Sequence, residues 1–258
     1  MTDRTKFEFP RLYTEFAKFY DRLENQYRDY PKEADWIATL LRQHRCKNIV
    51  DISCGTGTHL SMLRERVVDR DYTGMDASEQ MVLLANSKLD KLDLLVANFL
   101  QPPFKASSFD ASICMYWSIA GLNDDLVSRL FSQAYYLTRR DGLFIFDTEN
   151  SDGIKENLLN APFIDGFIND PEKDLFLIRA NFSTKTAPDL VDWHSYYLFE
   201  KSGVSELQTD RMNLRFYSRQ KLESMLRDAG FGTVDVMSGP GEEYRRASPS
   251  LYFVAVKD

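Results

Sequence analysis

Residues 48–60 read NIVDISCGTGTHL, an apolar run that ends in an aspartate and leads into a turn with two glycines. The run NIVDI predicts a buried strand, and the following THLSMLRERV predicts a helix. Glycines in such a turn let the backbone approach a ligand, and the helix N-terminus offers unpaired amides. By itself the turn is a weak signal for a ligand site, and a tight strand-to-helix connection is the alternative.

Segments downstream of this turn continue the alternation. Predicted strands are DYTGMD (71–76), LDLLVANF (92–99), FDASICMYW (109–117) and DGLFIFDT (141–148). Predicted helices are ASEQMVLLANSKL (77–89) and LNDDLVSRLFSQAYYLT (122–138). Strands that alternate with helices of this length indicate βαβ units, and hence an α/β fold with a parallel sheet and helices on both faces.

The flanking regions have a different character. Apolar residues at helical spacing from Leu12 to Tyr27 predict an amphipathic helix, and Pro31 begins a second one. After Asn150, the segments DLFLIRANFS, DLVDWHSYYLFEKSG and SELQTDRMNLRFYS predict inserted antiparallel strands. The helix SRQKLESMLRDAG follows, with Ser218 as its N-cap and Gly230 as its C-terminal stop. FGTVDVM and SLYFVAV then predict two closing strands.

These elements predict a single domain that covers residues 1–258. Its parts are an N-terminal helical segment (1–45), a cofactor-binding core (46–150), an antiparallel β insertion (174–217), and a closing helix with the last two strands (218–258).

Composition narrows the functional class. The formal charge of −7 and the pI near 5.1 disfavour a general nucleic-acid-binding surface. No apolar run is long enough to span a bilayer, and the N-terminus lacks the apolar centre of a signal peptide, so a cytoplasmic protein is expected. The three cysteines are too scattered for a disulfide framework or a CxxC metal site, and no metal site is predicted.

The ends of the first three strands carry groups suited to a nucleoside. Asp76 ends the second strand about 20 residues after the glycines, where a carboxylate accepts ribose hydroxyls; the alternative is an N-cap for the next helix. Asn98 and Phe99 end the third strand and offer an amide and an aromatic face to an adenine.

The glycine pattern disfavours a dinucleotide. The fingerprint G-x-G-x-x-G needs a third glycine where this chain has Leu60. The carboxylate of Asp51 is poorly placed beside a pyrophosphate but suits an ammonium group. A nucleoside joined to an amino acid therefore fits better than NAD, although an NAD-linked oxidoreductase stays an alternative.

Several motifs in the chain resemble those of a known family. DISCGTG (51–57) resembles the first motif of class I S-adenosylmethionine-dependent methyltransferases, and GMDASEQM, VANFLQPPF and FDASICMYWSIAGL resemble the motifs at the next three strand ends. FAKFYD, LTRRDGLFIFD and FYSRQKLESMLRDAGF are also similar to the family. Its small-molecule branch, with N-methyltransferases of amino sugars and glycine, is the nearest match. The implied fold is a Rossmann-like, mostly parallel seven-stranded sheet with its last strand antiparallel.

The resemblance implies the cofactor site residue by residue. Asp51 would hold the amino group of S-adenosyl-L-methionine, and Gly55 and Gly57 would pass close to its methionine and ribose portions. Asp76 would bind the ribose hydroxyls. The other positions carried over to the site are Ser53, Ala77, Asn98 at the adenine amine, Phe99 against the adenine ring, and Met115 beside the sulfonium. The product would be S-adenosyl-L-homocysteine.

Two positions depart from the family pattern. Ser53 stands where many members have glycine or alanine, a small change that should not prevent binding. Residues 120–122 read AGL where some amino-sugar enzymes have a histidine, which puts an amino-sugar substrate in doubt.

The acceptor side is predicted from fewer signals. In the resembled family the N-terminal helix folds over the cofactor as a lid, so Tyr13 is expected at the substrate and Tyr20 is a candidate catalytic residue; an aromatic core contact is the alternative for Tyr20. Tyr116 and Trp117, after the fourth strand, would stabilise a cationic amine by cation–π contact. His194 is a candidate general base if its face of the inserted sheet looks into the site, and otherwise an exposed or packing histidine.

The predicted function is methyl transfer to a small-molecule acceptor, with an amine nitrogen ahead of oxygen. Alternatives are an O-methyltransferase, a tRNA or protein methyltransferase, and a non-catalytic cofactor-binding partner subunit. The expected partner is a small-molecule substrate rather than nucleic acid or a membrane, and a homodimer through the β insertion is a further expectation.

Overall fold

A computed structural model describes residues 10–90, 92–153 and 162–258. The first nine residues of the predicted N-terminal segment lie outside this range. The strands along the chain are β1 (Asn48–Asp51), β2 (Asp71–Asp76), β3 (Asp93–Val96), β4 (Phe109–Cys114), β5 (Thr138–Glu149), β6 (Phe163–Asp170), β7 (Leu175–Ala187), β8 (Leu190–Lys201), β9 (Val204–Arg215), β10 (Thr233–Met237) and β11 (Ser250–Val256). The α-helices are α1 (Tyr20–Glu24), α2 (Tyr30–Gln43), α3 (Thr58–Arg66), α4 (Glu79–Lys88), α5 (Asp124–Leu137) and α6 (Arg219–Ala229).

Seven of these strands form one sheet in the order β10-β11-β5-β4-β1-β2-β3. β1 pairs in parallel with both β2 and β4, and β4 pairs in parallel with β5. β11 lies antiparallel to β5 and to β10, so the last strand is the reversed one. This confirms the predicted Rossmann-like sheet. The strand order reverses between β1 and β4, and open α/β sheets bind ligands at such a point.

Buried side chains cover both faces of this sheet. Phe144 and Phe146 of β5 pack with α5 and α6 on one face, and Leu143 and Ile145 pack with α2 and α3 on the other. Alternate residues of a strand point to opposite faces, so continuous apolar runs are what a doubly covered sheet requires. The predicted helices on both faces are confirmed.

Helix ends follow the local chemistry of the sequence. Ser218 caps α6 by accepting a hydrogen bond from the Lys221 N–H, and Gly230 ends the helix at φ +110°. Both features match the prediction. At the start of α2, Asp29 accepts a hydrogen bond from the Lys32 N–H and a proline lies in the first turn.

The N-terminal segment differs from its prediction. In place of one amphipathic helix from Leu12 to Tyr27 it forms a 3-10 turn at Arg11–Tyr13, another at Ala17–Phe19, and the short α1. Its aromatic residues pack on the inserted sheet, as Phe16 does at 4.5 Å from the Tyr197 ring. Aromatic residues favour a helix only weakly, so these tertiary contacts determine the backbone.

A second, antiparallel sheet in the order β6-β7-β8-β9 forms the insertion. It confirms the predicted insertion and adds β6, a strand that the sequence pattern does not predict. Its inner face packs against the N-terminal segment through Leu177 and Tyr197. Its outer face exposes apolar side chains, among them Phe167, Leu198 and Leu207. The predicted homodimer through this sheet stays a prediction. None of the helices in the described residues is both long and apolar enough to cross a membrane.

Candidate active site

The glycine turn, residues 53–58, connects the carboxyl end of β1 to α3. Gly55 and Gly57 adopt left-handed backbones with φ of +52° and +78°. A Cβ on Gly57 would come within 2.5 Å of Leu89 Cδ1, so packing also requires glycine there. A Cβ on Gly55 would have nothing within 4 Å. Gly55 therefore borders open space, where a ligand can approach the backbone.

Asp51 at the end of β1 is a buried carboxylate, 2% exposed. It accepts a hydrogen bond from the Ser53 N–H at 3.1 Å, and no cationic side chain among the described residues pairs with it. Burial, with a smaller contribution from the nearby charge of Asp76 and against the Ser53 hydrogen bond, raises the pKa of Asp51 to about 7. A buried carboxylate without a cation is the partner that a ligand's ammonium group needs.

Asp76 at the end of β2 is held in place by two backbone amides. Its Oδ2 accepts from the Gly55 N–H and its Oδ1 from the Ser78 N–H, both at 2.9 Å. Burial raises its pKa despite these hydrogen bonds. Ser78 is the N-cap of α4, since its side chain accepts from the Met81 N–H, so the alternative capping role for Asp76 is wrong. A carboxylate accepts about four hydrogen bonds, which leaves capacity for two hydroxyls.

The other predicted cofactor residues lie along the same edge of the sheet. Ala77 is half-buried between Asp76 and the α4 cap. Asn98 Oδ1 accepts from the Leu100 N–H at 2.9 Å just after β3, and Phe99 packs partly buried against the core. Since β1, β2 and β3 are neighbours in one sheet, these side chains share a rim with the glycine turn.

Ser53 and Met115 lie where β1 meets β4. The Ser53 Oγ donates to the Cys114 Sγ at 3.3 Å. Met115, 2% exposed, packs in the core on the α2 and α3 face. Leu60, where a dinucleotide fingerprint has its third glycine, is fully buried in that same core. The structure thus gives Leu60 a packing role.

The post-β4 turn, residues 115–118, contains two consecutive left-handed residues. Tyr116 has φ +64° and Trp117 has φ +54°, a strained arrangement for bulky side chains. Asp147 on β5 stabilises it, because its Oδ1 accepts from the Tyr116 N–H at 2.6 Å. The same oxygen lies 3.5 Å from the Trp117 nitrogen. Strain of this kind concentrates at functional sites.

Arg28 fixes Asp147 from the other side. Its Nη2 donates to Asp147 Oδ2 at 2.6 Å, and its Nε lies 2.8 Å from Glu33 Oε1. The guanidinium also lies 4.7 Å from the centre of the Tyr116 ring, within cation–π range. Burial raises the pKa of Asp147 despite the charge of Arg28. The sequence analysis does not identify Arg28, Glu33 or Asp147 as site residues. The signal that could have found Asp147 is its place as the acid at the end of the apolar run FIFD.

Four tyrosines form a cluster in front of this turn, which we call the tyrosine cluster: Tyr13, Tyr20, Tyr30 and Tyr116. Tyr20 lies 5.9 Å from the Tyr13 ring and 6.2 Å from the Tyr116 ring, and Tyr30 lies 5.8 Å from Tyr116. Burial raises the pKa of Tyr20 well above 10, so this phenol stays neutral at physiological pH. The structure therefore brings the predicted residues Tyr13, Tyr20, Tyr116 and Trp117 together.

Glu24 connects the cluster to the inserted sheet. It accepts a hydrogen bond from the Tyr116 hydroxyl and another from Arg179 Nη1 of β7 at 2.5 Å. Arg179 also donates to Asp165 of β6 at 2.6 Å. The N-terminal segment, the insertion and the post-β4 turn thus meet at one carboxylate.

His194 does not join this group. It lies on the same face of β8 as the exposed Tyr196 and Leu198, opposite to the buried Tyr197. Its Nε2 is 3.1 Å from Asp192 Oδ2, and Asp192 is paired with Arg211. The side chain therefore points away from the tyrosine cluster, which removes the condition for a role as general base.

The chain is similar to known methyltransferases. A family model described as a methyltransferase domain matches residues 49–142, from β1 into β5. A protein of Geobacillus sp. (strain WCH70) assigned as a methyltransferase is 23% identical over 95% of this chain and 99% of its own length.

Two further similarities are to a human enzyme and to a crystal structure. Human glycine N-methyltransferase is 32% identical over 138 residues, 46% of this chain and 46% of that enzyme. The crystal structure of an S-adenosylmethionine-dependent methyltransferase from Clostridium acetobutylicum superposes with a TM-score of 0.79 at 19% identity, over 95% of this chain and 98% of that one. At this identity the superposition establishes the fold.

Proposed function

We propose, from the premise that the chain is a class I S-adenosylmethionine-dependent methyltransferase of the small-molecule type, that its acceptor atom is an amine nitrogen. S-adenosylmethionine supplies a methyl group already activated by its sulfonium. The protein has to bind the two substrates in line and exclude water between them.

The residues at the carboxyl edge fit this cofactor. Asp51 is a buried carboxylate in need of a cation, which suits the amino group of the methionine portion. Asp76 is preoriented by the Gly55 and Ser78 amides and has lone pairs left for the ribose hydroxyls. The open side of Gly55 leaves space beside both carboxylates. Asn98, Phe99, Ala77, Ser53 and Met115 are assigned to the same site from their motif positions.

The charge around the tyrosine cluster is the observation that carries the amine assignment. Its carboxyl groups outnumber its guanidinium groups: the acids are Glu24, Glu33, Asp147 and Asp165, and the arginines are Arg28 and Arg179. Both arginines are buried and already ion-paired. Such a site attracts a cationic amine and repels an anionic phenolate or carboxylate acceptor. The bound ammonium gives up a proton to solvent or to one of these carboxylates, because only the neutral amine has the lone pair that attacks the methyl group.

The aromatic rings support the same assignment. Tyr20, Tyr116 and Trp117 present electron-rich faces, which stabilise a cation at about 1–2 kcal/mol per contact when it is desolvated. The phenol of Tyr20 remains neutral, so its role is to contact and orient the amine rather than to act as a phenolate base. The similarity to glycine N-methyltransferase, an enzyme named for a nitrogen acceptor, is in keeping with this proposal.

A panel of acceptors tests the proposal. Purified protein is incubated with S-adenosylmethionine and one of glycine, glucosamine, histamine, ethanolamine, propylamine, phenol or benzoate, and S-adenosylhomocysteine release is measured. We expect turnover with at least one amine and none with phenol or benzoate, and NMR of the product should place the methyl group on nitrogen. Methylation of the oxygen acceptors alone, or binding of S-adenosylhomocysteine without turnover on any acceptor, would overturn the amine assignment.

A further inference from the structure

Two carboxylates lie three residues apart on the short helix α1, at Asp21 and Glu24. Side chains at this spacing are neighbours on the helix surface, roughly 5–6 Å apart at Cβ. Because α1 is little more than one turn long, both acids move together with its backbone. The partners of the two acids therefore decide which parts of the molecule α1 connects.

Asp21 binds the glycine turn. Its Oδ1 accepts a hydrogen bond from the Thr56 hydroxyl, and its Oδ2 pairs with Lys88 Nζ of α4. Thr56 is 3% exposed and lies between Gly55 and Gly57, so this contact reaches the part of the turn where the cofactor is assigned. The assignment of the cofactor does not include Thr56 itself. Asp21 therefore acts on the backbone of the turn rather than through a contact with the cofactor.

Glu24 binds the acceptor side from the other end of α1. Its Oε2 accepts a hydrogen bond from the Tyr116 hydroxyl, and its Oε1 accepts from Arg179 Nη1 at 2.5 Å. The Glu24 side chain is 12% exposed and that of Arg179 is 5% exposed, so the contact is shielded from water. Hydrogen bonds to an ionised group are strong and directional. The Tyr116 ring is thus positioned from α1 as well as from its own turn.

The pairing of β1 with β4 brings the two anchor points of α1 close together. Asp51 of β1 pairs with Ile113 of β4, and the Ile52 N–H donates to the Ile113 carbonyl oxygen at 2.9 Å. The glycine turn and the post-β4 turn therefore leave the sheet side by side. Tyr20, the first residue of α1, lies 6.2 Å from the Tyr116 ring. Helix α1 thus crosses from the turn that follows β1 to the turn that follows β4.

We propose that Asp21 and Glu24 are positioning residues that couple the two substrate sites, so that cofactor bound at the glycine turn raises the affinity for the amine at the tyrosine cluster. These two acids, with their partners Thr56 and Tyr116, form what we call the α1 bridge. A lid only covers a ligand, whereas the α1 bridge makes the affinity for one substrate depend on the other. The coupling rests on the proposed amine methyltransferase activity, since it needs an amine at the cluster.

Ordering of the turn explains how the coupling is transmitted. A cofactor beside Gly55 holds the turn in one conformation, which holds the Thr56 hydroxyl and, through it, Asp21. Helix α1 then keeps Glu24 on the Tyr116 hydroxyl. Part of the entropy of ordering the acceptor side has therefore been lost before the amine binds. By linkage the amine has to raise the affinity for the cofactor by the same factor.

Two variants break the α1 bridge at opposite ends. Asp21→Ala removes the contact with the glycine turn, and Tyr116→Phe removes the hydroxyl at the cluster but keeps the ring. Arg22→Gln is the matched control, because Arg22 also lies on α1 but pairs with Asp170 of the inserted sheet at a partly exposed position. Urea unfolding confirms that each variant is folded.

Calorimetry measures the coupling directly. The dissociation constant of S-adenosylhomocysteine is determined without amine and with a saturating concentration of the amine from the acceptor panel that the wild type methylates fastest. The ratio of the two constants is the coupling factor. It should be about tenfold or more in wild type and in Arg22→Gln, and should fall to about one in Asp21→Ala and in Tyr116→Phe. The double variant should match the single variants, because either change opens the same bridge.

The remaining outcomes separate this proposal from the proposed function. If the wild type methylates an amine but has a coupling factor of about one, the coupling is wrong and the proposed function stands. If Asp21→Ala binds S-adenosylhomocysteine more weakly but keeps the wild-type coupling factor, Asp21 has a structural role alone, which also overturns the coupling. If the wild type methylates no amine, the proposed function fails first and this inference fails with it.

Discussion

Asp76 Oδ2 accepts a hydrogen bond from the Gly55 N–H at 2.9 Å, which ties the end of β2 to the glycine turn after β1. The Asp76 carboxylate thereby orders the backbone of the turn. It also lies at the carboxyl edge of the sheet, where we assign the ribose of the cofactor. The fold and the cofactor site are coupled through this contact.

We expect Asp76→Ala to lose S-adenosylhomocysteine affinity by about tenfold or more, because the hydroxyl acceptor and the ordered turn disappear together. It should also destabilise the fold by about 1–2 kcal/mol, since the amides of Gly55 and Ser78 lose their acceptor. Calorimetric titration and urea unfolding measure the two effects. Asp71→Ala, at the exposed start of the same strand, is the control and should change neither. Unaltered affinity in Asp76→Ala would contradict the ribose assignment.

Local sequence patterns are sufficient to predict the glycine turn and the strands on either side of it. β1, α3, β2 and the acid at its end follow from apolar periodicity and a glycine turn within some 30 residues. The Arg28–Asp147 pair joins residues 119 positions apart, and no short-range pattern encodes such a contact. Period two predicts which face of the strand His194 lies on but not which face is inward, so the sequence gives its role as a base only as a condition. The sequence pattern does not predict β6, because Asp165 and Gly166 interrupt its alternation.

Cofactor affinity should depend on pH through Asp51. Its pKa is raised to about 7, so below pH 7 the carboxyl is protonated and cannot pair with an ammonium group. We expect S-adenosylhomocysteine affinity to fall by about tenfold per pH unit below pH 7 and to level off above it. Calorimetric titrations with S-adenosylhomocysteine between about pH 5.5 and pH 8.5 measure how the affinity depends on pH. In Asp51→Asn the affinity should be low and nearly flat.

The same carboxyl should destabilise the free protein. Its pKa is higher in the folded than in the unfolded chain, so the unfolded state holds fewer protons between about pH 4 and pH 7 and stability falls as pH rises through that window. Asp51→Asn should therefore be more stable than wild type at pH 8, on the order of 2–4 kcal/mol, and equal to it near pH 4. Urea unfolding of both proteins at the two pH values measures the difference in their free energies of unfolding. A destabilised Asp51→Asn at pH 8 would refute the shift.

Removing Arg28 should be strongly destabilising. Arg28→Met leaves Asp147 and Glu33 buried without their guanidinium partner, a loss of about 3–5 kcal/mol in the free energy of unfolding. Lys32→Met, which breaks an exposed pair with Glu242, is the matched control and should unfold like wild type. Urea unfolding at pH 7 compares them. A loss below about 1 kcal/mol in Arg28→Met would mean that the two carboxyls are neutral or hydrated.

The outer face of the inserted sheet provides a test of the predicted homodimer. Register aligns Phe167, Ile178, Leu198 and Leu207 in a row across its four strands. A second copy is the expected occupant, because exposed apolar patches mark interaction surfaces and most soluble oligomers are twofold homodimers. Sedimentation velocity should show a dimer for wild type and a monomer for Leu198→Glu. Glu206→Gln on the same sheet should behave as wild type, and a monomeric wild type would dismiss the interface.

The two glycines of the turn should respond differently to a methyl group. Both have positive φ, so Gly55→Ala and Gly57→Ala each cost about 1 kcal/mol in backbone strain. Gly57→Ala also drives its Cβ towards Leu89 Cδ1 at 2.5 Å and should lose a further 1–3 kcal/mol, roughly the penalty for overpacking. Gly55→Ala meets no protein atom within 4 Å, so its larger effect should be on S-adenosylhomocysteine affinity, because the methyl group enters the space that the ligand needs. Urea unfolding and calorimetry on both variants measure this contrast, and equal affinity losses in the two would show that the open side of Gly55 does not face the cofactor.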